Sequence, residues 1–480
     1  MAAQVIPSQP AGHTITSDAS SHLSNPGLSH KSTPWNGAAA ELAHAADDLS
    51  YHHLPPFPDD VPVAPLLRIS LRGLVRGDAE EQERLWSACK ELGFFYLDLR
   101  GATAGCGDEE GEGAGEGKKR DSGRFANGDE DGGEGFGSRV KLADSGETGL
   151  KRSSAEHATP NAISSESEKS EEQSDGVVDG PGLLQDAEAL FRVGEELFDL
   201  PIDEKLKYDF KDRGSYFGYK GYGAGVVDAN GTADRNEFYN VSKDDIMGIS
   251  SPLPAPACLQ PHSQLFQSYM RHSHAIVTLL LQILNDKLSL PKSTLPSLHR
   301  LRAESGDQLR WVKAPPQPLD DRRTALGEHT DFGSVTVLHN RLGGLQVLVP
   351  ARDGEAAAWR YVRPLSGHVV VNLGDAMVKF TAGVLRSNVH RVVNPPGEQA
   401  ERVRYSLVYF ARPEDAVLLR CLDGSEVIDR AREGSMKGKA EEEEEEEEVI
   451  TSKEWVLRRA LGRRKGGDWG KSGGTEGARR

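Results

Sequence analysis

Gly327-Glu328-His329-Thr330-Asp331-Phe332-Gly333 sets a histidine and a carboxylate two residues apart. On an extended strand two such side chains point to the same side, and His390 of Ser387-Asn388-Val389-His390-Arg391 can reach the same point from an opposing strand. Two imidazoles and one carboxylate on one face of an octahedron leave the opposite face open. That donor set suits redox-active Fe(II) and not a closed structural zinc. Arg404 and Ser406 again sit two apart, so a guanidinium and a hydroxyl can face one small dicarboxylate from the next strand. Five residues describe one pocket.

Around this stretch, residues 309–412 read almost entirely as strands. Short β-branched runs at 309–312, 334–338, 343–349, 359–362, 368–372, 389–393 and 405–410 are separated by Gly, Pro and Asn turns with no helix between them. Such a pattern indicates an antiparallel sandwich or jelly roll. Further out the periodicity changes. Residues 79–92 carry Leu85, Trp86, Cys89 and Leu92 at helical spacing and end at Gly93, and the aromatic run 94–99 follows as a strand. Amphipathic helices are expected over 183–198 and, longest of all, over 263–290, where a broad apolar stripe can brace the back of a sheet. The fold class expected is therefore mainly β with flanking helices (α+β).

Composition sets the domain limits. Residues 1–57 are rich in Ser, Ala, Pro and His and read as a disordered tail, with structure beginning near Val61. A region over 58–300 carries the flanking helices and strands, interrupted by a Gly-, Glu- and Ser-rich disordered insertion over 101–182. The strand-rich core spans 301–425, and 426–480 reads as an acidic low-complexity tail with a short helix over 451–463. The glycine-interleaved aromatic segment 214–225 is equally a pocket-lining loop or a surface turn whose tyrosines cover the core.

The formal charge of −17 over 480 residues argues against a nucleic-acid partner. No stretch approaches the length of apolar residues that a membrane helix needs, and the N-terminus lacks a basic region followed by an apolar run. Cys89, Cys106, Cys258 and Cys421 are scattered without a CxxC pair, as reduced thiols of a cytoplasmic protein are. A monomer acting on a small-molecule substrate is expected.

Most histidines are surface or satisfied core residues, and His339 and His368 have no partner at ligand spacing. His329 and His390 differ by context. The segments 327–333, Gly343-Gly344-Leu345-Gln346-Val347, Val371-Asn372-Leu373-Gly374-Asp375, His390-Arg391-Val392-Val393-Asn394 and Arg404-Tyr405-Ser406 resemble the catalytic core of the Fe(II)- and 2-oxoglutarate-dependent oxygenases, in the isopenicillin N synthase-like subfamily. Val61-Pro62-Val63 with Gly93-Phe94-Phe95-Tyr96 resembles that family's N-terminal region. The resemblance implies a double-stranded β-helix, Fe(II) on His329, Asp331 and His390, and the distal carboxylate of 2-oxoglutarate on Arg404 and Ser406. It also implies O2-dependent decarboxylation of 2-oxoglutarate to succinate and CO2, coupled to hydroxylation or desaturation of a small organic, specialised-metabolite substrate. Val312 and Ala314 stand where family members often carry an Asn and a co-substrate-holding Tyr. An oxidase of the same fold without 2-oxoglutarate, and a non-catalytic small-molecule-binding protein, are the alternatives. Asp375 reads as a turn residue, and Arg391, next to a ligand on a strand, as half of a structural ion pair.

Overall fold

Alternation along two paired strands divides the molecule into a helical backing and a cavity. In β5 (Gln308–Ala314) and β12 (Arg404–Ala411), Leu309, Trp311, Leu407 and Tyr409 point to one side and are at most 1% exposed. Arg310, Val312, Ala314, Ser406, Val408 and Phe410 take the other parity and line a cavity. The strands are antiparallel, with Ser406 opposite Val312 and Arg404 opposite Ala314. The computed structural model describes residues 51–102, 176–351, 354–438 (side chains to 434) and 449–475. The tail over 1–50, most of the 101–182 insertion and the run 441–448 lie outside the described residues.

The backing consists of α1 (Ala79–Glu91), α2 (Gly180–Asp199) and α3 (Ser263–Lys287). Asp179 caps α2 by accepting the Gly182 amide, and Leu183, Ala187, Leu190, Phe191 and Leu197 recur at helical spacing on its buried stripe. Trp311 joins strand to helices. Its Nε1 donates to the Leu190 carbonyl of α2 at 2.8 Å, and its ring meets Phe266 of α3 edge-on at 5.8 Å. Gly194 makes room for it: a Cβ there would stand 2.6 Å from Trp311 Cδ1.

The remaining strands are β1 (Arg68–Ser70), β2 (Phe94–Asp98), β3 (Gly218–Lys220), β4 (Glu237–Ser242), β6 (Leu326–His329), β7 (Val335–Asn340), β8 (Leu345–Val349), β9 (Ala358–Tyr361), β10 (His368–Leu373) and β11 (His390–Val392). They form an eight-stranded sheet in the order β1-β2-β10-β7-β12-β5-β4-β3 and a four-stranded sheet β6-β11-β8-β9. Phe94 and Tyr96 of the larger sheet pack with Leu345 and Val347 of the smaller, in a second cluster apart from the main helix-side core. The result is a jelly-roll core of two sheets with helices on the outer face of the larger one.

Four features depart from the sequence-based expectations. Order begins at least ten residues before Val61: Tyr51 donates to the Leu365 carbonyl at 3.5 Å, the Pro55 carbonyl accepts from Gln399, and Phe57 packs edge-on to Tyr361. A second helix-forming stretch starts earlier than expected, because the Asp179 cap sets α2 going at Gly180, inside the supposed insertion. A short helix, α4 (Asp375–Phe380), interrupts the strand-rich region. Residues 426–480 contain an unexpected helix, α5 (Glu426–Gly438), before α6 (Ser452–Gly462), which falls within the expected 451–463 helix. Thr451 and Glu454 form a reciprocal capping box at the start of α6, and Trp455 and Val456 bury its inner face. The 214–225 segment supplies the edge strand β3 with the fully buried Tyr219 and Lys220; Tyr216 meets the cavity wall through Arg412, and Lys220 through Asn236.

Candidate metal centre

The two histidines sit where paired strands of the smaller sheet bring them face to face. His329 ends β6, His390 begins β11, and the two are directly opposed in register; their ring centroids are 4.2 Å apart. Asp331 lies beyond the end of β6, in the turn that carries the chain to the larger sheet, and not on the strand itself. All three are at most 8% exposed.

Hydrogen bonds fix which atoms remain open. His329 Nδ1 bonds the Gly327 carbonyl at 2.8 Å and His390 Nδ1 the Asn388 carbonyl at 3.1 Å. A carbonyl only accepts, so each Nδ1 carries the proton and each Nε2 keeps its lone pair. Asp331 Oδ2 accepts from Thr336 Oγ1 and Asn372 Nδ2, both at 2.6 Å. Oδ1 is left, 3.9 Å from His329 Nε2 and 3.8 Å from His390 Nε2. Those separations are too long for hydrogen bonds, and three lone pairs aimed at one point repel. A cation resolves that arrangement, and the three donor atoms lie within 4.8 Å of one another. Burial, then the neighbouring His390, pushes His329 well below the usual imidazole range. Burial also pushes Asp331 up, but the two imidazoles and the Asn372 and Thr336 hydrogen bonds outweigh it and hold the carboxyl below its ordinary value. Neutral His329 and an ionised carboxylate are the protonation states that bind metal.

Within the same cavity, Arg404 is 3% exposed. Its Nε donates to the Gly343 carbonyl at 2.8 Å and its Nη1 to Ser406 Oγ at 2.6 Å, and among the described residues no carboxylate meets it. Burial lowers it to about 10. The chain passes close by at Gly344, where φ is +104° and a Cβ would stand 2.6 Å from the Val393 carbonyl and 3.4 Å from Arg404 Nε. A desolvated guanidinium without an anion fits a small carboxylate. The residues present thus fit both Fe(II) and a 2-oxo dicarboxylate. Val312 and Ala314 leave an apolar wall beside Arg404, and Leu338, Leu345, Val392 and Val408 complete the dry lining.

A second layer supports the turn that carries Asp331 from behind, and sequence reasoning missed it. Asp375, which begins α4 instead of a turn, is fully buried and donates its amide to the Asp331 carbonyl at 2.8 Å. Its carboxylate accepts from Thr330 Oγ1 at 3.1 Å, from Thr475 and from Arg459 of α6. Arg459 also reaches the Thr330 carbonyl at 3.1 Å, and Trp455 Nε1 the Phe332 carbonyl at 3.0 Å. Asp375 and Arg459 are 84 positions apart, so no local pattern joins them. His339 and His368 are buried away from the centre, and Arg391 pairs with Glu328 at 3.3 Å on the outer face.

Comparison with known proteins finds relatives for both the sequence and the fold. The profile of the 2OG-Fe(II) oxygenase superfamily matches residues 297–413. A 2-oxoglutarate-dependent dioxygenase of Aspergillus fumigatus is 28% identical over 407 residues, covering 81% of this chain and 86% of that protein. The 2-oxoglutarate-dependent dioxygenase gloE of Glarea lozoyensis is 31% identical over 252 residues, 52% of this chain and 73% of its own length. A full-length Neurospora crassa protein crystallised with alpha-KG superposes with a TM-score of 0.53 at 19% identity, covering 84% of this chain and 97% of that one.

Proposed function

This chain belongs to the 2OG-Fe(II) oxygenase superfamily, and we propose that it hydroxylates or desaturates a small organic substrate of specialised metabolism, with His329, Asp331 and His390 as the Fe(II) ligands and Arg404 and Ser406 as the co-substrate clamp. It is a 2-oxoglutarate-dependent Fe(II) dioxygenase. The observation that carries the residue assignment is the pair of unmet demands in one cavity: three convergent lone pairs, and a buried guanidinium without an anion.

Fe(II) with 2-oxoglutarate and O2 supplies oxidative decarboxylation to succinate and CO2, coupled to oxidation of a substrate C–H bond. The chain's own residues hold, orient and exclude. Thr336 and Asn372 pin one oxygen of Asp331 so that the other faces the centre. The Gly327 and Asn388 carbonyls keep the two imidazoles in the ligating tautomer. Ser406 holds the guanidinium of Arg404 in the plane where it can grip a carboxylate by two hydrogen bonds. Phe94 packs edge-on against His390 at 5.3 Å, and the apolar lining keeps water from the site.

Among the described residues no helix is long and apolar enough to cross a membrane. Cys89, Cys258 and Cys421 are free thiols, which supports a reducing, cytoplasmic setting, and we read the working unit as a monomer.

The test is anaerobic reconstitution with Fe(II) and then 2-oxoglutarate, following the visible charge-transfer band of a chelated 2-oxo acid. A band in the wild type that is lost in Arg404→Ala is expected. Iron binding without a band would transfer the site to an oxidase independent of 2-oxoglutarate, and failure to bind iron would overturn the ligand assignment.

A further inference from the structure

The cavity holds a second arginine that the reaction as described does not use. Arg310 lies on the inward parity of β5, opposite Val408 of β12 and two positions before Val312. Its Nε donates to Asn240 Oδ1 at 2.7 Å. Asn240 is itself held, donating to the Tyr216 carbonyl and accepting from Gln308. The guanidinium carbon stands over the Phe238 ring at 4.3 Å and the Phe410 ring at 5.0 Å. One edge is tied and both neighbouring rings are aromatic, so the Nη edge is what remains for the cavity. Among the described residues no carboxylate pairs with it, and Asn240 is its hydrogen-bond acceptor.

The surroundings make this an expensive place for a cation. Burial, then the nearby Arg412, pushes Arg310 down to about 9. Arg412 is bound to the Gly306 carbonyl and to Tyr216 and offers no negative charge. Asp307, beside Arg412, is occupied by the Tyr409 hydroxyl and the Arg412 amide. Asp331 acts on Arg310 through space and offsets part of the burial, but its carboxylate is turned to His329 and His390 and forms no ion pair with the guanidinium. A desolvated charge left without a partner destabilises the empty fold, and an arginine held flat by aromatic rings is pre-organised for a planar oxyanion.

Resting on the reading of the site as an Fe(II)/2-oxoglutarate dioxygenase, we infer that Arg310 is a specificity-determining residue that grips a carboxylate on the prime substrate. The substrate class is thereby narrowed to small organic acids whose apolar body lies along Val312, Val408 and Phe410. Arg404 takes the co-substrate's distal carboxylate, and Arg310 takes the substrate's. The division follows from position, since Ser406 completes the Arg404 clamp while Asn240 and two phenyl rings complete that of Arg310.

The experiment uses full-length protein loaded anaerobically with Fe(II) and 2-oxoglutarate, in wild type, Arg310→Gln and Arg404→Ala. Benzoate, phenylacetate and octanoate are each titrated calorimetrically beside the corresponding primary amide. The wild type is expected to bind at least one acid about 10- to 100-fold more tightly than its amide, the worth of a charge-assisted pair. In Arg310→Gln that preference is expected to collapse while 2-oxoglutarate affinity stays within about threefold of wild type, well short of a lost charge pair. Absence of any acid preference in the wild type overturns the inference, as does a preference that survives in Arg310→Gln. A fall in 2-oxoglutarate affinity as large as that in Arg404→Ala also overturns it, by assigning Arg310 to the co-substrate. If the wild type takes up no 2-oxoglutarate, the reading of the site fails separately, and the same titrations on the Fe(II) protein alone still decide whether Arg310 reads a carboxylate.

Discussion

Arg459 and Arg404 are buried alike, at 0% and 3% exposure, yet one is saturated and the other left wanting. Behind the turn that carries Asp331, Arg459 has Asp375, the Thr330 carbonyl and the ring of Phe332 at 4.5 Å. Elsewhere in the scaffold, Lys220 pairs with Asp234, and Lys205 with Glu237 at 2.9 Å. On the cavity wall, Arg404 and Arg310 have hydroxyl, amide and carbonyl partners but no carboxylate among the described residues. The difference teaches where to look for function. A fold that buries a charge for its own sake supplies the counter-charge, and where the counter-charge is withheld, a ligand supplies it.

The strongest way to break this comparison is at the metal. Asp331→Ala and His329→Ala should each abolish Fe(II) uptake and turnover while leaving the apo protein folded, as metal analysis and circular dichroism would show. Retention of iron and activity in both would sink the assignment.

Arg459→Ala comes next, because it strands the buried Asp375 carboxylate. A loss of about 3–5 kcal/mol is expected in denaturant unfolding, and the double variant Arg459→Met with Asp375→Asn should recover part of it. A loss below about 1 kcal/mol, the worth of an exposed pair, would remove Arg459 from the structural set.

Buried histidines sharpen the contrast through pH. Burial lowers His299 to about 4, and burial with the nearby Arg341 lowers His339 to about 3, against about 6.5 in an unfolded chain. The unfolded chain therefore binds the extra protons, so their contribution is complete above about pH 6.5 and is lost as pH falls toward 4 and then 3. Over that window the loss should be on the order of 3 kcal/mol for His299 and 5 kcal/mol for His339. His339→Leu should flatten part of the melting-temperature profile between those limits, and an unchanged slope would contradict the assignment.

Smallest in stability, Arg404→Met should leave the apo protein within about 1 kcal/mol of wild type, since no ion pair is broken. Its dissociation constant for 2-oxoglutarate should nonetheless rise about 100-fold. Equal damage to stability and affinity would show that Arg404 belongs with Arg459.

These contrasts also separate what the sequence made legible from what it did not. Local spacing was enough to bring His329, Asp331, His390, Arg404 and Ser406 into one cavity, because strand alternation decides facing and the turn after β6 needs to carry Asp331 only two positions. Thr451 and Glu454 likewise announce a helix start. Nothing local marks Arg459 as the partner of Asp375, since acidic residues beside α6 dominate the composition there and the pairing exists only after the chain has folded back. Arg310 was hidden differently: an arginine on an alternating strand looks solvent-facing until β4 and β12 place phenyl rings beside it.

The docking of α6 has one more consequence. Asp375 touches Asp331 through the backbone and Arg459 through its carboxylate, so occupancy of the centre and seating of the C-terminal helix share a lever. Thermodynamic reciprocity then applies: whatever free energy iron gains from a firmly seated helix, the helix gains from iron. Amide hydrogen exchange along Ser452–Gly462 should slow when metal is added, a remote gauge of a site it never touches.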